Sequence, residues 1–317
     1  MTTPQHHYKG RFRNNTVTRD LHTKLSNIIK WKLHAPKVIP KQLPIASVDD
    51  IKNRGEGTTW IGHATFLINI NGKHILTDPV FSDRASPSQI VGPKRATPPA
   101  CAIKDLPPID YVVLSHDHYD HLDENSVLEL NERFKPKFIL PLKCGAWFDK
   151  RGIHNWVELD WWQSTKIWDI EFHCVPTQHF SGRGLKPNPT LWAGWVIESN
   201  LLSNETPHKI FFAGDTGYSK DFKDIGNEHG PIDLALIPIG AYEPRWFMKE
   251  VHVNPEEAVR IHLDVKSKHS IGMHWGSFIL TDEPMDEPPI HLTKALNKHK
   301  VDHDVFVTIQ HGSHHPL

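Results

Sequence analysis

The apolar and polar positions of this chain form a succession of short apolar runs, with helical stretches set between them. A regular pattern begins at "TTWIG" (58–62). In "FLININGKHILTD" (66–78) two apolar-rich runs flank Asn71-Gly72, the pair that a type I′ turn requires, which predicts a β-hairpin. The following stretch carries Pro87, Pro93, Pro98, Pro99, Pro107 and Pro108, too many prolines for a helix or a central strand. "DYVVLSH" (110–116) then reads as a buried strand, "DENSVLELNERF" (123–134) as a helix and "KFILPL" (137–142) as the next strand. Further strands are predicted at 155–159, 166–175, 191–198, 209–213, 233–238 and 270–275, with a last one at 305–310. In "NPEEAVRIHL" (254–263), Asn254 as cap, Pro255 in the first turn and two glutamates behind it mark a helix start. A hairpin followed by mixed strands and helices predicts an α/β layered sandwich in one domain over residues 56–317. Residues 1–55, polar and proline-containing, form an N-terminal arm.

Composition narrows the class. With 317 residues the chain can bury a large core, and 38% hydrophobic with 23% charged residues is ordinary for a globular protein. No stretch reaches the ~20 apolar residues that span a bilayer. The N-terminus "MTTPQHHYKGRFRNN" lacks the apolar segment of a secretory signal, so a cytoplasmic location, with peripheral contact to membrane, is expected. Cys101, Cys144 and Cys174 are odd in number and lack CxxC spacing, which argues for reduced core thiols over disulfides or a thiolate metal site.

Charge is unevenly placed. Residues 1–55 hold eleven Lys and Arg against three Asp and Glu, a net of +8 in a chain whose total is −1. Such an arm either meets an anionic partner, membrane or nucleic acid, or wraps the domain as a solvated segment, the reading preferred here. Within it, "LHTKLSNIIKWKL" (21–33) fits an interfacial amphipathic helix as well as one packed on the core.

The chemistry centres on "SHDHYDH" (115–121), directly after the apolar run 111–114. His116 and His118, two apart in extended chain, project to the same side. Asp120 and His121 follow where the chain turns toward the helix. Imidazoles and carboxylates ligate zinc-like ions at ~2.0–2.2 Å, and four ligands from one loop cannot complete two shells. Partners are therefore sought where other strands end: His179 after "CVPTQ", Asp215 after "IFFAG" and His274 after "SIGM". The resulting set places His116, His118 and His179 on one ion and Asp120, His121 and His274 on the other, with Asp215 bridging.

HxHxDH followed by a histidine, a strand-end aspartate and a late histidine resembles the metallo-β-lactamase superfamily, which implies a four-layer αββα sandwich. A narrower resemblance covers nearly everything after residue 55. "TTWIGHATFLININGKHILTDPVFSDRASP" (58–87), "GPKR" (92–95), "TQHFSGRG" (177–184), "LWAGWVIE" (191–198), "FFAGDTGYS" (211–219), "IPIGAYEPRWFM" (237–248), "HVNPEEAV" (252–259) and "MHWGSF" (273–278) are similar to the N-acyl-phosphatidylethanolamine-hydrolysing phospholipase D family. The resemblance implies a zinc phosphodiesterase releasing N-acylethanolamine and phosphatidic acid from a phospholipid. It also implies that His252, in "EVHVNPEE", lies near the substrate phosphate, where it would hydrogen-bond the phosphate or protonate the leaving alkoxide.

Two divalent ions, Zn2+ above all, would lower the pKa of a shared water, and the hydroxide would attack phosphorus with Asp120 orienting it. His63 and Asp78 fit behind the ligands as hydrogen-bonding support, because metal-bound histidines usually donate their other N–H to a carboxylate or carbonyl. Trp246, Phe247 and Met248 are set in an expected loop where they would meet acyl chains or be buried under a neighbouring loop. Arg183 and Arg245 are candidates for phosphate oxygens. His6, His7, His22, His34, His314 and His315 are given no role. Two other readings keep the fold: a lactonase acting on a phosphorylated sugar lactone, and a di-iron redox protein. Nucleic acid is not an expected partner, since nuclease relatives carry an inserted domain not visible here. The oligomeric state, a homo-oligomer included, stays open.

Overall fold

The computed structural model describes residues 4–16, 31, 35–184, 186–199 and 207–317. A two-stranded ribbon, β1 (His7–Tyr8) and β2 (Arg11–Phe12), precedes two seven-stranded sheets. The first sheet contains β3 (Gly57–Gly62), β4 (Thr65–Ile70), β5 (Lys73–Thr77), β6 (Tyr111–Val113), β7 (Lys137–Pro141) and β8 (Trp156–Leu159) in sequence order. The second runs in the order β15-β14-β13-β12-β11-β10-β9, from β9 (Ser164–Ile167), β10 (Ile170–Val175), β11 (Gly194–Ser199), β12 (His208–Phe212), β13 (Ile232–Pro238), β14 (Ser267–Met273) and β15 (Phe306–Val307). A final strand, β16 (His314–Pro316), returns to the first sheet and pairs with β3. The helices are α1 (Glu124–Phe134), α2 (Gly145–Asp149), α3 (Asp221–Glu228), α4 (Arg245–Met248), α5 (Pro255–Asp264) and α6 (Glu287–His299).

The period of two along each strand builds the layers. In the first sheet Trp60, Phe66, Ile68, Ile75, Tyr111, Val113 and Ile139 face one core, shared with Ile170, Phe172 and Trp195 of the second sheet. Their neighbours Ile61, Leu67, Leu76, Val112, Phe138 and Leu140 face a second core under α1 and α2, with Val127, Leu130 and Phe148. On the far side, Phe222, Val259 and Leu296 bring α3, α5 and α6 onto the second sheet. The order is thus helix, sheet, sheet, helix. Full burial of one large apolar side chain is worth ~1.5–3 kcal/mol. The sandwich core therefore fixes where strand ends lie, and polar contacts at those ends are adjusted on a rigid frame.

Strand direction decides which ends meet. β5 through β8 are parallel, and so are β12 through β15. β3 lies two antiparallel steps from β5, and β10 two from β12, so both share those directions. The carboxyl ends of β3, β5, β6, β10, β12 and β14 consequently point to one edge.

The hairpin forms as the turn chemistry requires, with Asn71 at φ 51° and Gly72 at φ 65°. Asn254 caps α5, its side chain accepting from Glu257 N at 2.9 Å, with Pro255 in the first turn. Three expectations need correction. Residues 166–175 are a hairpin rather than one strand, because Trp168, at φ 58°, turns the chain in the left-handed region. The last strand is β16, so His314 and His315 lie in a sheet edge. Residues 245–248, expected as loop, form α4. Helices α2, α3 and α6 are not among the predicted elements; α6 opens on Glu287 and carries Pro288 and Pro289 in its first turn, where the first helical N–H groups have no partner in any case. The helix expected over 21–33 lies outside the described residues apart from Trp31, as do His22 and His34. No helix among the described residues is long and apolar enough to cross a membrane.

Candidate metal centre

His63, Asp78, His116, His179, Asp215 and His274 each leave the sheet edge within a few positions of a strand end. His63, Asp78 and His274 directly follow β3, β5 and β14, and all three have positive φ, at 55°, 28° and 61°. Non-glycine residues in the left-handed region cost of order 1–3 kcal/mol and gather at functional sites. Here the turn swings each side chain off its strand toward the edge. His116 follows β6, His179 follows β10 and Asp215 follows β12. The two sheets meet beside Asp215: a Cβ on Gly214, at φ 60°, would stand 2.5 Å from Ser115 Cβ.

The predicted ligands come together in two groups. His116 Nε2 lies 2.8 Å from His118 Nδ1, and His179 Nε2 lies 3.3 Å from the same atom. His121 Nε2 is 3.2 Å from His274 Nε2, and each is 3.4 Å from Asp120 Oδ2. Asp215 stands between them. Its Oδ2 is 3.1 Å from His121 Nε2, 3.8 Å from His179 Nε2 and 4.0 Å from His116 Nε2, while Oδ1 is 3.0 Å from His274 Nε2. His252 Nδ1 lies 3.9 Å from Asp215 Oδ2, and its ring centroid 5.2 Å from that of His179.

The electrostatics fit a cation-binding donor set. Burial holds His116 and His179 well below the ordinary imidazole pKa and lowers His118, leaving neutral rings with lone pairs to give. Burial also acts on His121 and His274, but the carboxylates of Asp215 and Asp120 outweigh it, raising His121 well above the usual value and His274 to about 9. Burial would raise Asp120 and Asp215, yet the surrounding imidazoles hold both well below the carboxylate range. Two buried anions thus demand positive charge at the points where the two groups converge. His252 Nδ1 is buried without a hydrogen-bond partner, as expected of an atom facing a ligand. The residues fit two divalent cations.

A second layer holds this set. His121 Nδ1 donates to Asp78 Oδ2 at 2.7 Å, which directs Nε2 inward, and Ser115 donates to the same carboxylate through N at 2.7 Å and Oγ at 2.5 Å. Burial raises the Asp78 pKa, and these donors oppose the shift. Asp78→Asn is expected to weaken binding of a cation at the His121 group by about 10–100-fold, the usual cost of losing such a partner, measured by metal titration. Unchanged affinity would dismiss the role. His63 Nε2 reaches Asp120 Oδ2 at 3.1 Å, and Asp117 braces the cassette by accepting from Gly182 N at 2.7 Å and Thr190 Oγ1 at 3.0 Å. Asn14 was not foreseen. Its Nδ2 donates to His179 O at 2.9 Å and its Oδ1 accepts from His179 N at 3.1 Å. It sits in the polar arm, 165 residues from its partner, and nothing local in the sequence marks it.

Other expected contacts are redistributed. Arg245 does not offer a free guanidinium to phosphate: it pairs with Glu257 at 2.7 Å and donates to His252 O at 2.8 Å, fixing the loop that carries His252. Arg183 is likewise taken up by the carbonyls of Asp117 and Leu122. Met248 is buried, whereas Trp246 is 58% exposed and Phe247 stacks obliquely on Trp31, with ring centroids 5.5 Å apart. A small cavity reaching His274 shares Pro284 and Met285 with a hollow of about 430 Å3 lined by Val38, Ile39 and Pro40.

Residues 73–275 match the family described as the β-lactamase superfamily domain. A Mycobacterium tuberculosis protein described as uncharacterised is 43% identical over 284 residues, 86% of this chain and 74% of its own length. The N-acyl-phosphatidylethanolamine-hydrolyzing phospholipase D 1 of Caenorhabditis elegans is 42% identical over 294 residues, 87% of this chain and 81% of that protein. Among solved structures, a possible metal-dependent hydrolase from Veillonella parvula superposes with a TM-score of 0.65 over 83% of this chain and 100% of its own, at 14% identity, a likeness of fold.

Proposed function

Because this chain belongs to the β-lactamase superfamily, and within it to the family of the N-acyl-phosphatidylethanolamine-hydrolysing phospholipases D, we propose that it is a dinuclear metal phosphodiesterase cleaving an N-acyl-phosphatidylethanolamine. The observation that supports this reading is the position of Asp215, whose Oδ2 lies between His121 of one group and His179 and His116 of the other, while Oδ1 faces His274. His116, His118 and His179 would hold one ion, Asp120, His121 and His274 the other, and Asp215 both. Two zinc ions so held supply the positive charge that activates a water and neutralises phosphate oxygens.

The protein's own groups do the rest. Water attacks phosphorus, the bond from phosphorus to the headgroup oxygen breaks, and phosphatidic acid and N-acylethanolamine leave. Asp120, held by His63, orients the attacking water. His252, fixed through its backbone by Arg245 and held by burial at a pKa of about 4, is a neutral ring that hydrogen-bonds the phosphate, and the proton of the attacking water passes to the departing oxygen. The hollow lined by Val38, Ile39 and Met285 offers apolar surface for an acyl chain, with Trp246 exposed for contact with a lipid surface.

Purified protein loaded with zinc and given vesicles containing N-acyl-phosphatidylethanolamine should release N-acylethanolamine, read by mass spectrometry. No release from fully loaded protein sinks the substrate assignment, and turnover of a phosphorylated sugar lactone instead would replace it. Iron without zinc on elemental analysis would favour the redox reading. His252→Gln is expected to lower kcat about 10^2-fold while leaving the metal content at the parent's value. A variant as active as the parent removes His252 from the reaction.

A further inference from the structure

Among the described residues, one group of metal-competent side chains converges outside this centre: His6, His7 and Asp160. We propose that these three form another divalent-cation site, which clasps the N-terminal segment to the domain. His6 Nε2 lies 2.6 Å from Asp160 Oδ1, and His7 Nε2 lies 2.7 Å from Asp160 Oδ2, so both rings aim the same nitrogen at one carboxylate. The three donor atoms all lie within 4.8 Å of one another. Ligand atoms ~2.0–2.1 Å from a tetrahedral ion stand ~3.3 Å apart, so the two rings need to open by roughly 0.6 Å. The central groups are comparably compressed, with 2.8 Å between His116 and His118.

The surroundings resemble those of a ligand set. Asp160 Oδ1 also accepts from Trp161 N at 2.9 Å, and the His6 ring packs against Trp161 with centroids 4.4 Å apart. His6 and Asp160 are buried, while the His7 side chain is 28% exposed and leaves a side open for an ion and a water. Two imidazoles and a carboxylate suit zinc and its first-row neighbours better than calcium or magnesium.

The segment so fixed leads to the centre. Arg13 N donates to His6 O at 2.9 Å, and Phe12 N donates to Asn188 O at 3.1 Å. Asn14 then grips the backbone of His179 on both sides, and Thr16 Oγ1 donates to Gln178 at 3.1 Å. An ion at Asp160 therefore tethers the strap that positions the His179 loop. This inference goes beyond the hydrolase reading and does not depend on it.

The full chain, stripped of metal and titrated with Zn2+, tests it by calorimetry and elemental analysis. The parent is expected to take up one equivalent more than the H6Q/H7Q double variant, and hydrogen exchange over residues 4–16 should slow with zinc in the parent only. Equal stoichiometry and zinc-independent exchange in both proteins overturn the proposal, leaving a hydrogen-bonded clasp. D160N provides a second route to the same loss. D215N keeps the two readings apart, since it disturbs the central groups and should retain the equivalent that H6Q/H7Q loses.

Discussion

Asp215→Asn is expected to keep the fold and lose about 10^3-fold in kcat/KM on N-acyl-phosphatidylethanolamine, close to ~4 kcal/mol of transition-state stabilisation. Among the described residues, Asp215 has oxygens near both groups: 3.1 Å and 3.0 Å from His121 and His274, 3.8 Å and 4.0 Å from His179 and His116. Asparagine keeps the shape but supplies one ligating oxygen and one NH2, and the NH2 must face one of the groups as a donor. At least one cation site is thereby weakened, and the charge that balanced both is gone. The fold should survive because the strand ends are set by the sandwich core, and because His121 and His274 can release their protons once the anion is removed. For His274, raised to about 9 by carboxylates that include Asp215, this is a return toward 6.5. Steady-state kinetics, with metal content measured alongside, decides the matter. Near-parental turnover with the parent's metal content would show that Asp215 does not bridge.

The centre was legible where local chemistry and strand direction coincide. HxHxDH after an apolar run announces itself, and His179, Asp215 and His274 were findable because each ends an apolar run. In a sandwich whose ligand-bearing strands share a direction within each sheet, those ends meet at one edge. What lay beyond reach depends on contacts between distant segments. His6 and His7 looked like idle residues of a polar tail, yet Asp160 engages both. Arg245 looked available for phosphate because the sequence cannot show that Glu257, first fixed as the partner in the α5 capping box, also takes the guanidinium. Helix α6 was hidden by its prolines, and the hairpin at 166–175 by a tryptophan in a turn position where glycine or asparagine is usual.

Removal of the metal should produce the other large effect, and on two observables at once. Hydrolysis is expected to fall below detection in protein shown to be metal-free, while far-UV circular dichroism persists, since burial between the sheets owes nothing to the edge. Thermal stability should nonetheless drop. A ligand that binds only the folded state at ~1,000 times its Kd adds about 4.1 kcal/mol, so two such sites add ~8 kcal/mol. For a chain of this size 1 kcal/mol moves Tm by roughly 2 °C, which makes the expected fall about 15 °C. Part of that is offset, because protons on His121 and His274 already supply some of the charge that Asp120 and Asp215 require. The two observables separate a catalytic from a merely structural centre. A lower Tm with activity intact would make the ions struts, and a lost activity with Tm unchanged would mean weak, substrate-assisted binding. Re-addition of Zn2+ or Fe2+ singly then asks which ion restores turnover. If metal-free protein hydrolyses the phospholipid at the original rate, metal-dependent cleavage at this site is wrong.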